Sequence, residues 1–142
     1  MAAATDNDAA LDALVWEALR FFPVNPFVTR ITVADYTVGS GSAHAAAIPA
    51  GALAFVGTRS AMQDADVLPD PMKVRLDRPA WAYMHFGSGP HTCLGKYVGM
   101  VMAPEVIKQI LKLPRLRRAA GAAGTLDFKG GVFPESLTVA FG

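Results

Sequence analysis

The only cysteine of this 142-residue chain, Cys93, stands within FGSGPHTCLG, residues 86–95, where Gly87, Gly89 and Gly95 and a proline surround it just before a helical pattern. One cysteine cannot form an internal disulfide, so the thiol reads as buried, reactive or ligating. Gly87 and Gly89 permit positive φ and close approach of backbone to a flat ligand, and Pro90 stiffens the turn, which together make a rigid cradle. At the start of the helical pattern the sulfur faces backbone N–H groups and the positive end of the dipole, which favour the thiolate that soft metal coordination needs. Phe86 is placed to shield the sulfur from water. His91, two residues before Cys93, is placed to hydrogen-bond a carboxylate at the edge of the same ligand.

Other charged residues are less informative alone. Glu17 and Arg20, at i and i+3, would ordinarily form a surface pair worth about 0.2–0.5 kcal/mol. Arg30 reads as an exposed strand arginine. His44 lies in a small-residue loop and is expected in solvent, whereas His85 is expected to pack. One cysteine and three scattered histidines show no zinc-ligand spacing.

These residues need elements to hold them. Leu11, Leu14, Val15, Ala18, Leu19 and Phe22 follow one helical face behind an acidic stretch, Asp6 to Asp8, suited to capping, and Pro23 and Pro26 end the pattern. The runs from Arg30 to Val38 and from Gly51 to Thr58 are β-branched and partly alternating, which predicts short strands in a small sheet. Residues 62–90, with several prolines and no sustained period, predict an irregular meander that Trp81, Tyr83 and Phe86 pack. Leu94 to Leu113 predicts a helix with a kink or restart at Pro104, and LDFKGG and SLTVAFG predict a terminal hairpin. Residues 1–10 read as a tail.

Composition sets the limits. Thirteen Lys+Arg against twelve Asp+Glu leave a net charge of +1, so nucleic acid and anionic membrane surfaces are poor partners. Charged residues are 18% of the chain, against about 25% in ordinary soluble domains, so some other surface is expected to cover part of it. The acidic N-terminus does not read as a signal peptide and no apolar run reaches a membrane span, so a reducing, cytoplasmic setting is expected.

FGSGPHTCLG resembles the haem-binding loop of the cytochromes P-450, with Cys93 in the place of the thiolate axial ligand of haem b. Glu17 and Arg20 in EALR resemble that family's Glu-x-x-Arg motif, and Arg78 in LDRPAW stands where a second arginine completes an ion-pair triad. Arg30 resembles the arginine that pairs with a haem propionate, and IPAG, residues 48–51, the turn that opens the next strand. Trp81 and Tyr83 then become core or haem-rim aromatics, with Tyr83 in reach of a propionate. The resemblance spans residues 11–142 and departs at Met100, where the family commonly has arginine, and at Pro104. TRSAM and YMHFG further resemble the P-450-like domains of fatty-acid dioxygenase and diol synthase fusions.

The resemblance implies a mixed α+β fold: the C-terminal, proximal-haem part of a mainly α architecture, with a small sheet, a meander and a cysteine loop leading into a helix. It implies a haem-thiolate oxidoreductase that monooxygenates a small organic, in one form lipid, substrate with a redox partner. A variant is a hydroperoxide isomerase or peroxygenase that needs none. The alternative is a non-catalytic haem-binding fragment that needs a separate chain carrying the distal half. A thiol enzyme with no haem is the third reading.

Overall fold

The computed structural model describes residues 8–131 and 133–142. Residues 1–7 of the expected tail lie outside the described residues, and Asp8, Ala9 and Ala10 already belong to helix α1, Asp8–Phe21. Its first turn carries Asp8 and its last Arg20, each the charge that the dipole favours there. The buried face is not the apolar stripe that the spacing predicts. Leu11 and Val15 are buried, but so are Glu17 and Arg20, while Ala18 is exposed and Phe22 is 78% exposed.

Among the described residues the strands form three separate two-stranded antiparallel sheets rather than one. β1 (Val28–Ile31) pairs with β4 (Leu53–Val56), with Arg30 opposite Ala54. β2 (Tyr36–Val38) pairs with β3 (Ala46–Ile48). The run expected as one strand from Arg30 to Val38 breaks at Thr32, whose hydroxyl donates to the Pro49 carbonyl at 2.6 Å and whose amide donates to Ala52 O. These bonds, with Asp35 Oδ1 accepting from the Ala50 amide at 2.8 Å, build the turn at residues 48–51, where Gly51 takes φ of 77°. α2 (Thr58–Ala61) follows.

Residues 62–90 form the expected irregular course, with a 3-10 turn at Ala80–Ala82. α3 (Lys96–Leu111) is one continuous helix through Pro104, so the sequence-predicted restart does not occur. Proline there removes one backbone donor, yet Pro104 is the one buried residue of α3, and its burial against the rest of the fold compensates. α1 and α3 are joined by Lys108 Nζ, 2.9 Å from Asp12 and 3.6 Å from Asp8. The expected terminal hairpin is reduced to a bridge between Asp127 and Ser136, and the last strand, β6 (Val139–Ala140), pairs instead with β5 (Arg117–Arg118).

Buried apolar residues are few: Leu11, Val15, Met62, Leu68 and Ala82. The accessible surface is 10276 Å², against about 7,000 Å² for a compact protein of this mass. Much of the excess is apolar, since Leu94, Tyr97, Val98 and Val101 on and before α3 are all more than half exposed. Among the described residues no helix is long and apolar enough to cross a membrane.

Candidate haem site

The cysteine loop is shaped by three features that its sequence supplies. Gly87 and Gly89 adopt φ of 66° and 58°, the left-handed region in which side chains are strained. At Gly87 a Cβ would also lie 3.1 Å from the His91 carbonyl. The Cys93 amide donates to Phe86 O at 2.8 Å, closing the loop, and the Lys96 amide donates to Cys93 O at 3.1 Å, joining it to α3. Cys93 is exposed rather than buried, which removes the small-hydrophobe reading of a lone cysteine. Gly95 caps α3, and a Cβ there would stand 3.8 Å from Cys93 Sγ.

Phe86 is held from two sides. Its ring lies edge-on to Trp16 of α1, centroids 5.9 Å apart, and against Gly99 of α3, where a Cβ would come within 3.0 Å of the ring. Trp16 stacks on His85, and His85 on Tyr83, at 5.8 and 5.6 Å. His85 Nε2 lies 3.2 Å from the Trp16 carbonyl, which fixes the proton on that nitrogen, while Nδ1 is buried without a partner among the described residues. Burial pushes the His85 imidazole below its usual range, against the opposing pull of that hydrogen bond.

Beneath this cluster lies the charged knot. Arg20 Nε and Nη2 donate to the two Glu17 oxygens at 2.8 and 3.0 Å, and both side chains are fully buried. Arg78, its side chain 2% exposed, brings Nε to 3.1 Å from Glu17 Oε1, an ion pair too poorly aligned for a hydrogen bond. The Arg75 amide donates to Glu17 Oε2 at 3.0 Å. The remaining guanidinium N–H groups gather meander carbonyls: Arg20 takes those of Met62, Pro71 and Lys73, and Arg78 those of Pro69, Asp70 and Lys73. Burial pushes the Glu17 carboxyl up, but the Arg20 and Arg75 hydrogen bonds and both arginine charges outweigh it and hold it below its usual range. Tyr83, read from sequence as a core or haem-rim aromatic, sets its hydroxyl by Glu17, and burial followed by that negative charge pushes it up to about 12.

The structure therefore brings Glu17, Arg20 and Arg78 together, and Phe86, Gly87, Gly89, His91, Cys93 and Gly95 into one loop. His91 is exposed at the end of the 3-10 turn Gly89–His91. Arg30 stands apart: its Nη1 donates to Thr29 O at 2.7 Å, and among the described residues no hydrogen bond ties it to the loop. Sequence reasoning missed Trp16, Arg75 and Gly99. A glycine within a helix costs about 0.5–1 kcal/mol, and that cost at Gly99 was the available signal.

The profile of the Cytochrome P450 family matches residues 9–117. Linoleate diol synthase of Gaeumannomyces graminis is 41% identical over 85 residues, which are 60% of this chain and 7% of that protein. Psi-producing oxygenase A of Emericella nidulans is 40% identical over 93 residues, 66% of this chain and 9% of that protein. Among solved structures, the thermophilic cytochrome P450 from Sulfolobus tokodaii is 31% identical with a TM-score of 0.62, covering 78% of this chain and 28% of its own. Ligand-free cytochrome P450 TbtJ1, 22% identical, superimposes over 99% of this chain and 36% of its own with a TM-score of 0.80 and so shares the fold. The chain thus spans about a third of such structures and under a tenth of the curated relatives. The exposed thiol, the left-handed glycines beside it and the buried Glu17–Arg20–Arg78 knot lie within the matched residues, and the chain belongs to the cytochrome P450 family of haem proteins.

Proposed function

We propose that this chain holds haem b through the Cys93 thiolate and forms the proximal side of a site that oxidises a lipid. The observation that carries the reading is the Cys93 loop: its sulfur is exposed on a backbone cradle of left-handed glycines, the donor chemistry and the clearance that a flat, soft-metal macrocycle requires. Cys93 would hold the iron through its sulfur, Phe86 would limit water there, and Gly87, Gly89 and Gly95 would leave room for the ring. His91 and Arg30 are the donors for its carboxylates. When bound, haem supplies the redox chemistry at an O–O bond. The Cys93 thiolate would supply electron density to the bound iron. The Glu17–Arg20–Arg78 knot positions the meander and, through Tyr83, His85 and Phe86, the loop.

Rearrangement of a fatty-acid hydroperoxide is favoured over monooxygenation. Two relatives are named for linoleate diol synthesis, and a 31% identical protein of Fusarium oxysporum is named a bifunctional dioxygenase and epoxy alcohol synthase. The large apolar surface of the chain supports completion of the pocket by further polypeptide, a distal half in the same or another chain.

The test is to add haem to the full chain, reduce it, expose it to carbon monoxide and record the difference spectrum. A red-shifted thiolate-carbonyl band that disappears in Cys93→Ser is expected; absence of haem uptake overturns the reading. Turnover of a linoleate hydroperoxide without a reductant supports the isomerase form, and a requirement for NADPH and a redox partner supports the monooxygenase.

A further inference from the structure

Among the described residues α1 makes its ring contacts at the entry of the cysteine loop through Trp16. The indole stacks on His85, centroids 5.8 Å apart and planes inclined by 29°, and meets Phe86 at 5.9 Å and 67°. Two consecutive residues thus rest on one bicyclic ring, in the stacked and edge-on arrangements that aromatic pairs prefer. The Trp16 carbonyl also takes the His85 Nε2 proton across 3.2 Å. Trp16 directly precedes Glu17, whose carboxylate is fully buried against Arg20 and Arg78, so its α-carbon is as fixed as the knot itself.

Phe86 is where the loop closes. Its carbonyl accepts the Cys93 amide at 2.8 Å, so the backbone of Cys93 follows the backbone of Phe86. The other flank of the Phe86 ring is Gly99, where a Cβ would come within 3.0 Å. That flank gives no independent reference: the Lys96 amide is bonded to Cys93 O, so the first turn of α3 moves with the cysteine. Lys108 pins α3 to Asp12 of α1 about three turns further on, too far along the helix to set the loop. The reference comes from α1, and the Trp16 ring is what carries it.

We infer that Trp16 is a positioning residue for Cys93: it holds Phe86, and through the Phe86 carbonyl the Cys93 amide, where the sulfur can meet the iron. The inference rests on the haem reading above and deepens it, since it assigns the placement of the thiolate to a residue of α1 that touches neither the sulfur nor the ring. Trp16 then passes the rigidity of the buried ion pairs to the exposed loop.

The test measures amide hydrogen exchange in the full chain without haem and the carbon monoxide difference spectrum with haem. In Trp16→Leu the Cys93 amide is expected to exchange about ten-fold faster or more, while the amides of the β1–β4 pair keep their rates; a general loss of stability would speed all of them alike. Trp16→Phe, which keeps one ring, recovers part of the protection. In a Phe86→Leu background the same Trp16→Leu change adds no more than about two-fold, because the ring through which it acts is gone. With haem, the thiolate-carbonyl band of Trp16→Leu falls to about half or less of that of the unsubstituted chain per haem bound. An unchanged Cys93 rate in Trp16→Leu, an equal rise at the β1–β4 amides, or the full acceleration in the Phe86→Leu background each overturns the assignment. So does an undiminished thiolate band in Trp16→Leu. If Trp16→Leu does not fold, Trp16→Phe is read by the same criteria, with an acceleration of about three-fold confined to Cys93 as the supporting result. Failure of the unsubstituted chain to take up haem, with the exchange pattern intact, overturns the haem reading and not the hold of Trp16 on Cys93.

Discussion

The Phe86 ring lies on the α-carbon of Gly99: a Cβ at position 99 would come within 3.0 Å of Phe86 Cε1 and 3.1 Å of Cζ. Because Phe86 also supplies the carbonyl that holds the Cys93 amide, contact on α3 reaches the loop through one ring. Gly99→Ala makes the ring shift against Trp16, and overpacking of this kind costs about 1–3 kcal/mol. The expected outcome is a lower urea midpoint together with weaker haem retention. A Gly99→Ala chain as stable as the original would show that the ring yields freely.

The Glu17–Arg20–Arg78 knot predicts a different pattern. Glu17→Gln leaves two guanidinium groups facing one neutral amide in a dry site, and Arg20→Met leaves the carboxylate with Arg78 as its one close cation and the Arg75 amide as a donor. Removing one partner of a buried ion pair costs roughly 3–5 kcal/mol. By contrast, Lys73 pairs with Asp70 at 2.9 Å with 73% of its side chain exposed, so Lys73→Ala should change stability little. Equilibrium denaturation of the three variants reads this contrast directly, and equal losses in all three would refute it.

The cysteine loop was legible because its signal is local: glycines at the positions that turn left-handed, a proline directly after them and a helix behind. The knot was legible only through resemblance, since an i, i+3 pair has the same spacing on a surface as in a core, and nothing in the pattern told that Ala18 and Phe22 would face outward while Glu17 and Arg20 went in. The link from Tyr83 to Glu17 was not legible for a related reason: the two are distant in sequence. Gly99 was missed because the reason for it is a ring thirteen residues earlier. The 30–38 run failed as a strand because Thr32 spends its hydrogen bonds on the turn at residues 48–51, a competition that β-propensity does not record.

The exposed apolar surface predicts behaviour in solution. With Leu94 fully exposed and Tyr97 and Val101 each more than two-thirds exposed, the isolated chain should bind an anionic hydrophobic dye strongly and sediment as concentration-dependent oligomers. Replacing Val98 and Val101 with glutamine should weaken both effects without changing the unfolding midpoint by more than about 0.5 kcal/mol. A monodisperse, dye-silent chain would show that these side chains need no cover.

Acid should weaken the fold in two windows. The unfolded chain protonates His85 near 6.5, but the folded chain, with the ring buried between Trp16 and Tyr83, does so only at lower pH. The stability this holds is complete above about 6.5 and is lost as the pH falls toward the folded value, by no more than about 1.4 kcal/mol per pH unit for one proton. Glu17 acts in the same direction lower down: its carboxyl is held below its ordinary 4.5, so its share is present above that value and disappears as the folded group finally takes a proton. His85→Phe keeps a flat ring between the same neighbours and removes the upper window only. Urea unfolding at about pH 7, 5.5 and 4 should show the loss between the first two in the original chain and not in the variant, with both falling at the third. An equal loss in both between about pH 7 and 5.5 would show that His85 does not carry the upper window.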